Sequence, residues 1–566
     1  MNNLLPALIL IPLACGIAMA VWGHRLRKAA APAAIGVSLL SLVLTIVAVA
    51  SIGEGVADAG RIAPRLLFAP SWFEFDFPFF IRGHAVHVQL ALGLDGISGL
   101  MILLTAVVTC AVVIAAGRQV LDRTAEYLGL VLITEALLMG VFLAMDLLTF
   151  YICFEAVLLP VVLLIAMWGD RATAGRAATR FLLFTLAGSI PMVVGLIGLM
   201  TYSADIDTPP VATLPALAER IAVLDQVIAA NDIEAPTDTL APVSHGGSLR
   251  WILATLLFGF GIKMAIVPLH AWLPLTYSSA HPNTTALIAA VVGKLGLYGI
   301  VRLVLPLMPD TLDGSPRYLF AALGAIAIVY GALAALAQRD PRRMFAYSSI
   351  SHLGFITIGL MSYTQIGVEG AVLQMFNHGI IVAAIFLLIA AAESRYGRRE
   401  ITERYQGIAS TSPGLAALFI FFLLASAGLP GLSSFVGELM TLSGLIDYSL
   451  GLTAVSILGI LLGAWYALRF VQQMLFGEPT GAARSDRPTN AARSDRQTGH
   501  GERIASDSIS GLSWAERSAV LPLAAICLVV GIAPMTAIRL FSRDAAAISA
   551  PRLLTPDLAA NVELSK

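Results

Sequence analysis

The chain has 566 residues, 58% of them hydrophobic and 13% charged, with a formal net charge of −1. Soluble globular domains carry about 25% charged residues, so at a mean hydropathy of +0.84 the composition excludes a soluble protein. It fits an all-α polytopic membrane protein.

Stretches of about 20 apolar residues, the length that spans a bilayer, fall at 3–22, 31–51, 97–117, 125–144, 147–167, 179–202, 251–270, 284–305, 318–337, 345–362, 370–392, 412–446, 452–476 and 516–540. These are fourteen predicted transmembrane helices. The first lacks a basic leader and reads as a span, not as a cleaved signal. The window 412–446 is too long for one straight span and contains SAGLPGLSSFVGEL, which predicts a helix broken around Gly428–Ser434. A second break is predicted at Pro268 and Pro274, because proline removes a backbone donor and such breaks persist in a membrane only beside protein or a water-filled cavity.

Loops after odd-numbered spans, with their flanks, hold 20 Lys and Arg, while the other loops and the C-terminal tail hold 9. The positive-inside rule makes the first set cytoplasmic and puts both termini on the external face. Three polar insertions interrupt the pattern. Residues 52–96 are rich in Phe and Trp and read as a short extended external segment. Residues 203–250 read as an acidic external loop. Residues 477–515 contain AARSDR twice and read as a disordered, low-complexity cytoplasmic linker.

The two predicted breaks fall in the seventh and twelfth spans, five apart. Since five is odd, two five-helix units would be inverted relative to each other, an arrangement that points to a transport path at their interface. The domains expected are 1–124, N-terminal helices; 125–305, first inverted repeat; 306–476, second inverted repeat; 477–515, linker; and 516–566, last helix and tail.

Six basic residues lie within spans: Lys263, Lys294, Arg302, Arg469, Arg517 and Arg539. The arginines are near span ends, where snorkelling is the expected behaviour. The two lysines are central, at a cost of roughly 2.5–3.5 kcal/mol each on insertion scales. Glu155, in the fifth span, is the expected partner of Lys263, either in a static ion pair or in a pair that loads and unloads the lysine proton. Glu438 follows the second break. His352 and His378, between the lysines and Glu438, suggest a central relay, since histidine titrates near neutral pH. Glu135 reads as a helix-packing contact and Asp146 as solvated at a span end. Cys15, Cys110, Cys153 and Cys527 lack metal-ligand spacing. No phosphate-cradling glycine loop, CxxC or haem motif occurs, so the energy source is expected on another subunit or in an ion gradient.

The segments FYICFEAVLLPVVLLIAMWG, GIKMAIVPLHAWLP, QRDPRRMFAYSSISHLGF and AGLPGLSSFVGEL resemble the M-subunit family of bacterial NADH–quinone oxidoreductase (respiratory complex I), whose mitochondrial counterpart is subunit 4. The resemblance runs through nearly all fourteen spans. It implies that Glu155, Lys263, Lys294 and Glu438 lie on a proton path, with His352 and His378 on its central axis. It also implies a bacterial inner-membrane subunit beside antiporter-like subunits of L and N type and a peripheral redox arm, with no cofactor and no nucleic acid on this chain. NADH, flavin, iron–sulfur clusters and quinone then belong to partners. One passage departs: where the family has a DAHTEAP-like stretch, this chain has LTYSSAHPN, closer to subunits of cation/proton antiporters and membrane-bound hydrogenases. Glu438 points back to the M type, because L, N and most antiporter relatives carry lysine there. A different reading is a non-conducting scaffold of the membrane arm.

The charge asymmetry makes a direct prediction. In intact cells a membrane-impermeant thiol reagent should modify a cysteine placed at Ser244 and spare one at Thr498; the opposite labelling would reverse the assigned topology.

Overall fold

The computed structural model describes residues 4–26, 29–52, 64, 66–70, 74–81, 84–120, 122–203, 211–221, 245–397, 407–476 and 511–550. The spans are α1 (Leu4–Leu26), α2 (Ala30–Ala50), α3 (Gly96–Gln119), α4 (Thr124–Leu143), α5 (Leu147–Trp168), α6 (Ala174–Ser203), α7a (His245–Lys263) with α7b (Leu273–Ser279), and α8 (Pro282–Leu307). They continue as α9 (Ser315–Ala337), α10 (Pro341–Ser362), α11 (Gln365–Tyr396), α12a (Pro413–Ser426) with α12b (Ser433–Ile446), α13 (Leu450–Leu475) and α14 (Trp514–Ile532). Twelve of these helices are long and apolar enough to cross a membrane. With the interrupted α7 and α12 they make the fourteen expected spans. One boundary is corrected. The last span stops at Ile532, because Pro534 ends the helix, and a separate amphipathic helix, α15 (Met535–Ser549), follows.

Helix starts are set by side chains that hold the first free N–H groups. Asp95 and Ser98 form a capping box on α3, and Ser513 with Glu516 forms one on α14. Asp340 caps α10, with Pro341 in its first turn. Within the segment 52–96, expected to be extended, the described residues form strands: Leu66–Phe68 pairs antiparallel with Leu92–Leu94, and Glu74–Ile81 with His84–Gln89. Part of the predicted acidic loop folds back, its Leu214 N–H donating to the Met145 carbonyl (2.8 Å) and its Ala212 carbonyl accepting from Leu147 N–H (2.9 Å). Residues 477–510, with the AARSDR repeats, lie outside the described residues.

Burial separates the helices into a centre and a rim. α8 and α11 are buried throughout and α10 nearly so, whereas α1, α2 and α13 expose most of their apolar surface. Small residues bring the central helices close, as in membrane packing generally: a Cβ at Gly296 of α8 would lie 2.3 Å from the Phe260 carbonyl of α7a. The N-terminal end of α3 is held from far along the chain, where Asp544 of α15 accepts from Gly96 N–H (2.7 Å).

Both breaks are as predicted, and their freed groups are answered. After Lys263 the backbone turns left-handed at Ala265 (φ 55°), and the Val267–Pro268 peptide is cis. Trp272 Nε1 donates to the freed Ile262 carbonyl (2.9 Å). The second break turns at Gly428 and Gly431, with φ of 72° and 91°. There the Leu424 carbonyl at the end of α12a accepts from Leu429 N–H (3.1 Å), and Asn377 Nδ2 donates to the Ser433 carbonyl in the first turn of α12b (2.7 Å).

Two further expectations are corrected. Arg302 does not snorkel. It is buried, 2.5 Å from Asp95 and donating through Nε to Tyr298 Oη (2.9 Å), which itself donates to the Phe142 carbonyl (2.7 Å). A residue near a span end can turn inward when a carboxylate waits there. Asp146 is not solvated. It is fully buried, capping α5 at Thr149 N–H (2.7 Å) and accepting from Ala91 N–H (3.2 Å). Of the remaining span-end arginines, Arg517 and Arg539 are exposed and Arg469 is half-buried.

The Asp95–Arg302 pair carries a stability prediction. Arg302→Met leaves a buried carboxylate without its cation and should cost ~3–5 kcal/mol. Asp95→Asn combined with Arg302→Met keeps the cap on α3 and should recover most of the loss, read as the unfolding midpoint of the purified protein in detergent. Additive losses would mean that the two residues do not act as a pair.

Candidate functional site

Lys263 is the last residue of α7a, a position set by the break that follows it. It is 3% exposed, its Nζ lies 4.5 Å from the centre of the Phe154 ring, and it has no hydrogen-bond partner. The negative face of an aromatic ring attracts an ammonium group, more strongly where water is excluded. Glu155, on α5, is within electrostatic reach of Lys263, but the two form no ion pair. The expectation of a direct pair is corrected: Phe154 occupies the face of Lys263, and the Glu155 carboxylate accepts from Ser189 Oγ of α6 at 2.5 Å.

Lys294 lies in α8 where the helix tightens to a 3-10 turn at Val292–Lys294, followed at Ile300–Val304 by a π turn. It is fully buried, and its Nζ donates to the Ala289 carbonyl (2.5 Å). His378 of α11 is within electrostatic reach of both Lys294 and His352. The two imidazole rings lie 5.2 Å apart, inclined at 39°. His352 of α10 meets Ser426 Oγ of α12a through Nε2 at 3.1 Å, and its Nδ1 is 3.2 Å from Glu438 Oε1 of α12b. That last approach is close but not aligned as a hydrogen bond. Glu438 accepts from Ser434 Oγ (3.0 Å) and from Gln374 Nε2 (3.2 Å). A Cβ at Gly428 would lie 2.9 Å from Glu438 Oε2, so the glycine of the break leaves the carboxylate room.

Lys294, His378, His352 and Glu438, on α8, α11, α10 and α12b, therefore follow one another as a line of buried polar groups, each within electrostatic reach or direct approach of the next. Lys263 and Glu155 lie at one side of it. Among the described residues no hydrogen bond or ion pair joins Lys263 to Lys294, and the tight contact of Gly296 with Phe260 lies between their helices. Glu135 is apart from this line, fully buried and accepting from Ser41 Oγ (2.9 Å).

Several members of the site went unnoticed in the sequence. Gln374 and Asn377 of α11 and Ser434 of α12b are buried around Glu438. Gln374 Nε2 also donates to Ser434 Oγ (2.7 Å). The available signal was spacing: Gln374 precedes His378 by four residues and Ser434 precedes Glu438 by four, so each pair shares a helix face. Ser189, Ser426 and Phe154 had no such signal. Polar atoms along the line, Lys263 Nζ, Gln374 Oε1, Asn377 Oδ1 and His378 Nδ1, have no partner in the protein. Among the described residues no group of three His, Cys, Asp or Glu could hold a metal ion.

Chemically, the line alternates groups that can both take and give a proton. An imidazole between a hydroxyl and a carboxylate can accept on one nitrogen and release from the other. Uncharged polar side chains surround it, and no fixed cation neutralises Glu438.

The chain is similar to known proteins over most of its length. Residues 144–463 match the family model described as "NADH:quinone oxidoreductase/Mrp antiporter, TM". NADH-quinone oxidoreductase subunit M of Rhodobacter capsulatus is 32% identical over 539 residues, 94% of each chain. NADH-ubiquinone oxidoreductase chain 4 of Chondrus crispus is 32% identical over 412 residues, 72% of this chain and 76% of that one. Among solved structures, a chain of respiratory complex I from Thermus thermophilus with bound NADH superposes with a TM-score of 0.75 at 28% identity, over 97% of this chain and all of the other.

Gln374 gives the local test of the site. Gln374→Leu keeps the volume but removes the donor to Glu438 and Ser434, and should cost ~1–3 kcal/mol. Gln374→Glu should cost more, because it sets a second carboxylate beside Glu438. Thermal unfolding of the purified protein, followed through the buried cysteines with a thiol-reactive dye, measures both; a more stable Glu variant would contradict the assigned contacts.

Proposed function

This chain belongs to the transmembrane subunit family shared by NADH:quinone oxidoreductase and the Mrp antiporters, and we propose that it is the M-type, proton-translocating subunit of a bacterial respiratory complex I. The observation that carries the reading is the buried line from Lys294 through His378 and His352 to Glu438. Charged and titratable groups at membrane depth are costly, and a chain of them with unpaired polar atoms suits transport better than support. Water, which fills polar sites with several unmet partners, would complete the line.

In this reading the chain does no redox chemistry. NADH, flavin, iron–sulfur clusters and quinone belong to partner subunits, and antiporter-like L- and N-type subunits flank it in the membrane arm. Glu155 and Lys263 load a proton from one side, Lys294 and the two histidines relay it, and Glu438 delivers it. The five-span offset between the breaks divides the chain into inverted repeats at 125–305 and 306–476. Both termini face outward across the cytoplasmic membrane. A push from a neighbouring subunit would change the distance between Glu155 and Lys263. Because Lys263 is held by a ring face and not by a salt bridge, a small displacement changes how strongly it holds its proton.

The family also takes in Mrp antiporters, and LTYSSAHPN leans that way. An antiporter subunit would move cations down an imposed sodium or proton gradient without NADH, which inverted vesicles distinguish directly.

The decisive variant is Lys263→Arg. Guanidinium also stacks on Phe154, so a purely structural cation would be replaced well. It does not release its proton at accessible pH, so a carrier would fail. We expect Lys263→Arg and Lys263→Ala to assemble, to pump less than a tenth of wild-type protons in NADH-energised inverted vesicles, and to lose most quinone reduction. Normal pumping by the arginine variant would falsify the carrier role.

A further inference from the structure

A groove of about 460 Å³ lies between α7a and α9, away from the polar line. Its walls are Leu253 and Leu257 of α7a with Leu319 and Leu323 of α9, and its floor is Ile266 and Pro268 of the α7 break. Arg250 stands at the mouth, exposed and without a described ion-pair partner. Beside it Trp251 is 73% exposed, the kind of aromatic that marks a membrane–water boundary.

The dimensions identify the occupant. From Arg250 to Lys263 the helix rises roughly 20 Å, and from Ser315 to Leu323 roughly 12 Å. The groove thus descends from a membrane boundary to about the midplane and ends at the break, the depth of one leaflet of a core about 30 Å thick. A single extended acyl chain matches that depth. At the mouth the free guanidinium complements a phosphodiester, which arginine binds through two parallel N–H groups.

We propose that this groove is a phospholipid site, with the phosphate at Arg250 and one acyl chain covering the interruption of α7. Pro268 is exposed and Val267, Leu269 and His270 are half-buried. With the Ile262 carbonyl already answered by Trp272 inside the protein, the outer side of the break offers an acyl chain mainly apolar surface. The lipid seals the flank of the helix that carries Lys263, so that protons reach the lysine along the protein interior and not through its side.

The test uses the assembly purified in detergent with this chain. A photoreactive benzoylphenylalanine replaces Leu319, which is 58% exposed, so the fold is not burdened. After extensive detergent exchange and irradiation, the chain should carry a phospholipid adduct by mass spectrometry. Arg250→Gln in the same background should lower the adduct yield about fivefold, the effect of ~1 kcal/mol for one basic residue at an anionic lipid surface. Native mass spectrometry of the wild type and of Arg250→Gln alone, without the photoreactive residue, should show the same loss of retained phospholipid. An adduct to another subunit would overturn the proposal in favour of a protein occupant. So would no adduct, or equal lipid yield with and without Arg250, which would mean bulk lipid on an exposed leucine.

Discussion

An ammonium group in hydrocarbon must find an oxygen, a ring face or water, and the two central lysines meet this demand differently. Lys294 takes a carbonyl that the irregular winding of α8 turns toward it, so its partner is part of the backbone and cannot leave. Lys263 ends its helix, where the terminal carbonyls already favour positive charge, and rests on the ring of Phe154. One lysine is bolted to its own helix and the other is held by diffuse attraction. That difference makes Lys263 the more responsive of the two.

The rest of the bundle keeps this arrangement in register. The break in α7 brings Lys263 to the end of a half-helix, and the break in α12 places Glu438 in the second turn of another. Trp272 closes a carbonyl that the first break releases, and Asn377 bonds the first turn of α12b. α8 and α11 lie at the centre and carry Lys294, Gln374, Asn377 and His378, while the rim helices present apolar faces. Away from the line, Asp95–Arg302 ties the start of α3 to the end of α8, and Arg342 and Arg395 make ion pairs with Glu393 and Glu516 near the opposite ends of the helices.

Much of this was readable in the sequence because charge in an apolar run stands out. Lys263, Lys294, Glu155, Glu438 and the two histidines were found that way, as were all fourteen spans and both breaks. Gln374, Asn377 and Ser434 were passed over because neutral polar residues are common in membrane helices and only their neighbours reveal them. Arg302 and Asp146 were misread for the opposite reason. A position near a span end suits either snorkelling or inward pairing, and the choice depends on residues far away in sequence, Asp95 for one and Ala91 for the other. Glu155 lies within electrostatic reach of Lys263 but bonds Ser189 of α6, a choice that hydropathy does not encode.

The contact between Gly96 and Asp544 joins residues 448 positions apart. A ribosome feeding this chain into the membrane delivers α3 early and α15 almost last. The N-terminal end of α3 therefore waits, its first amide unanswered by Asp544, until nearly the whole chain has been inserted. This end of the bundle thus closes only after α15 has been made. A chain that stops short of α15 would present an open end on α3, a local difference by which membrane quality control could tell a finished subunit from a fragment.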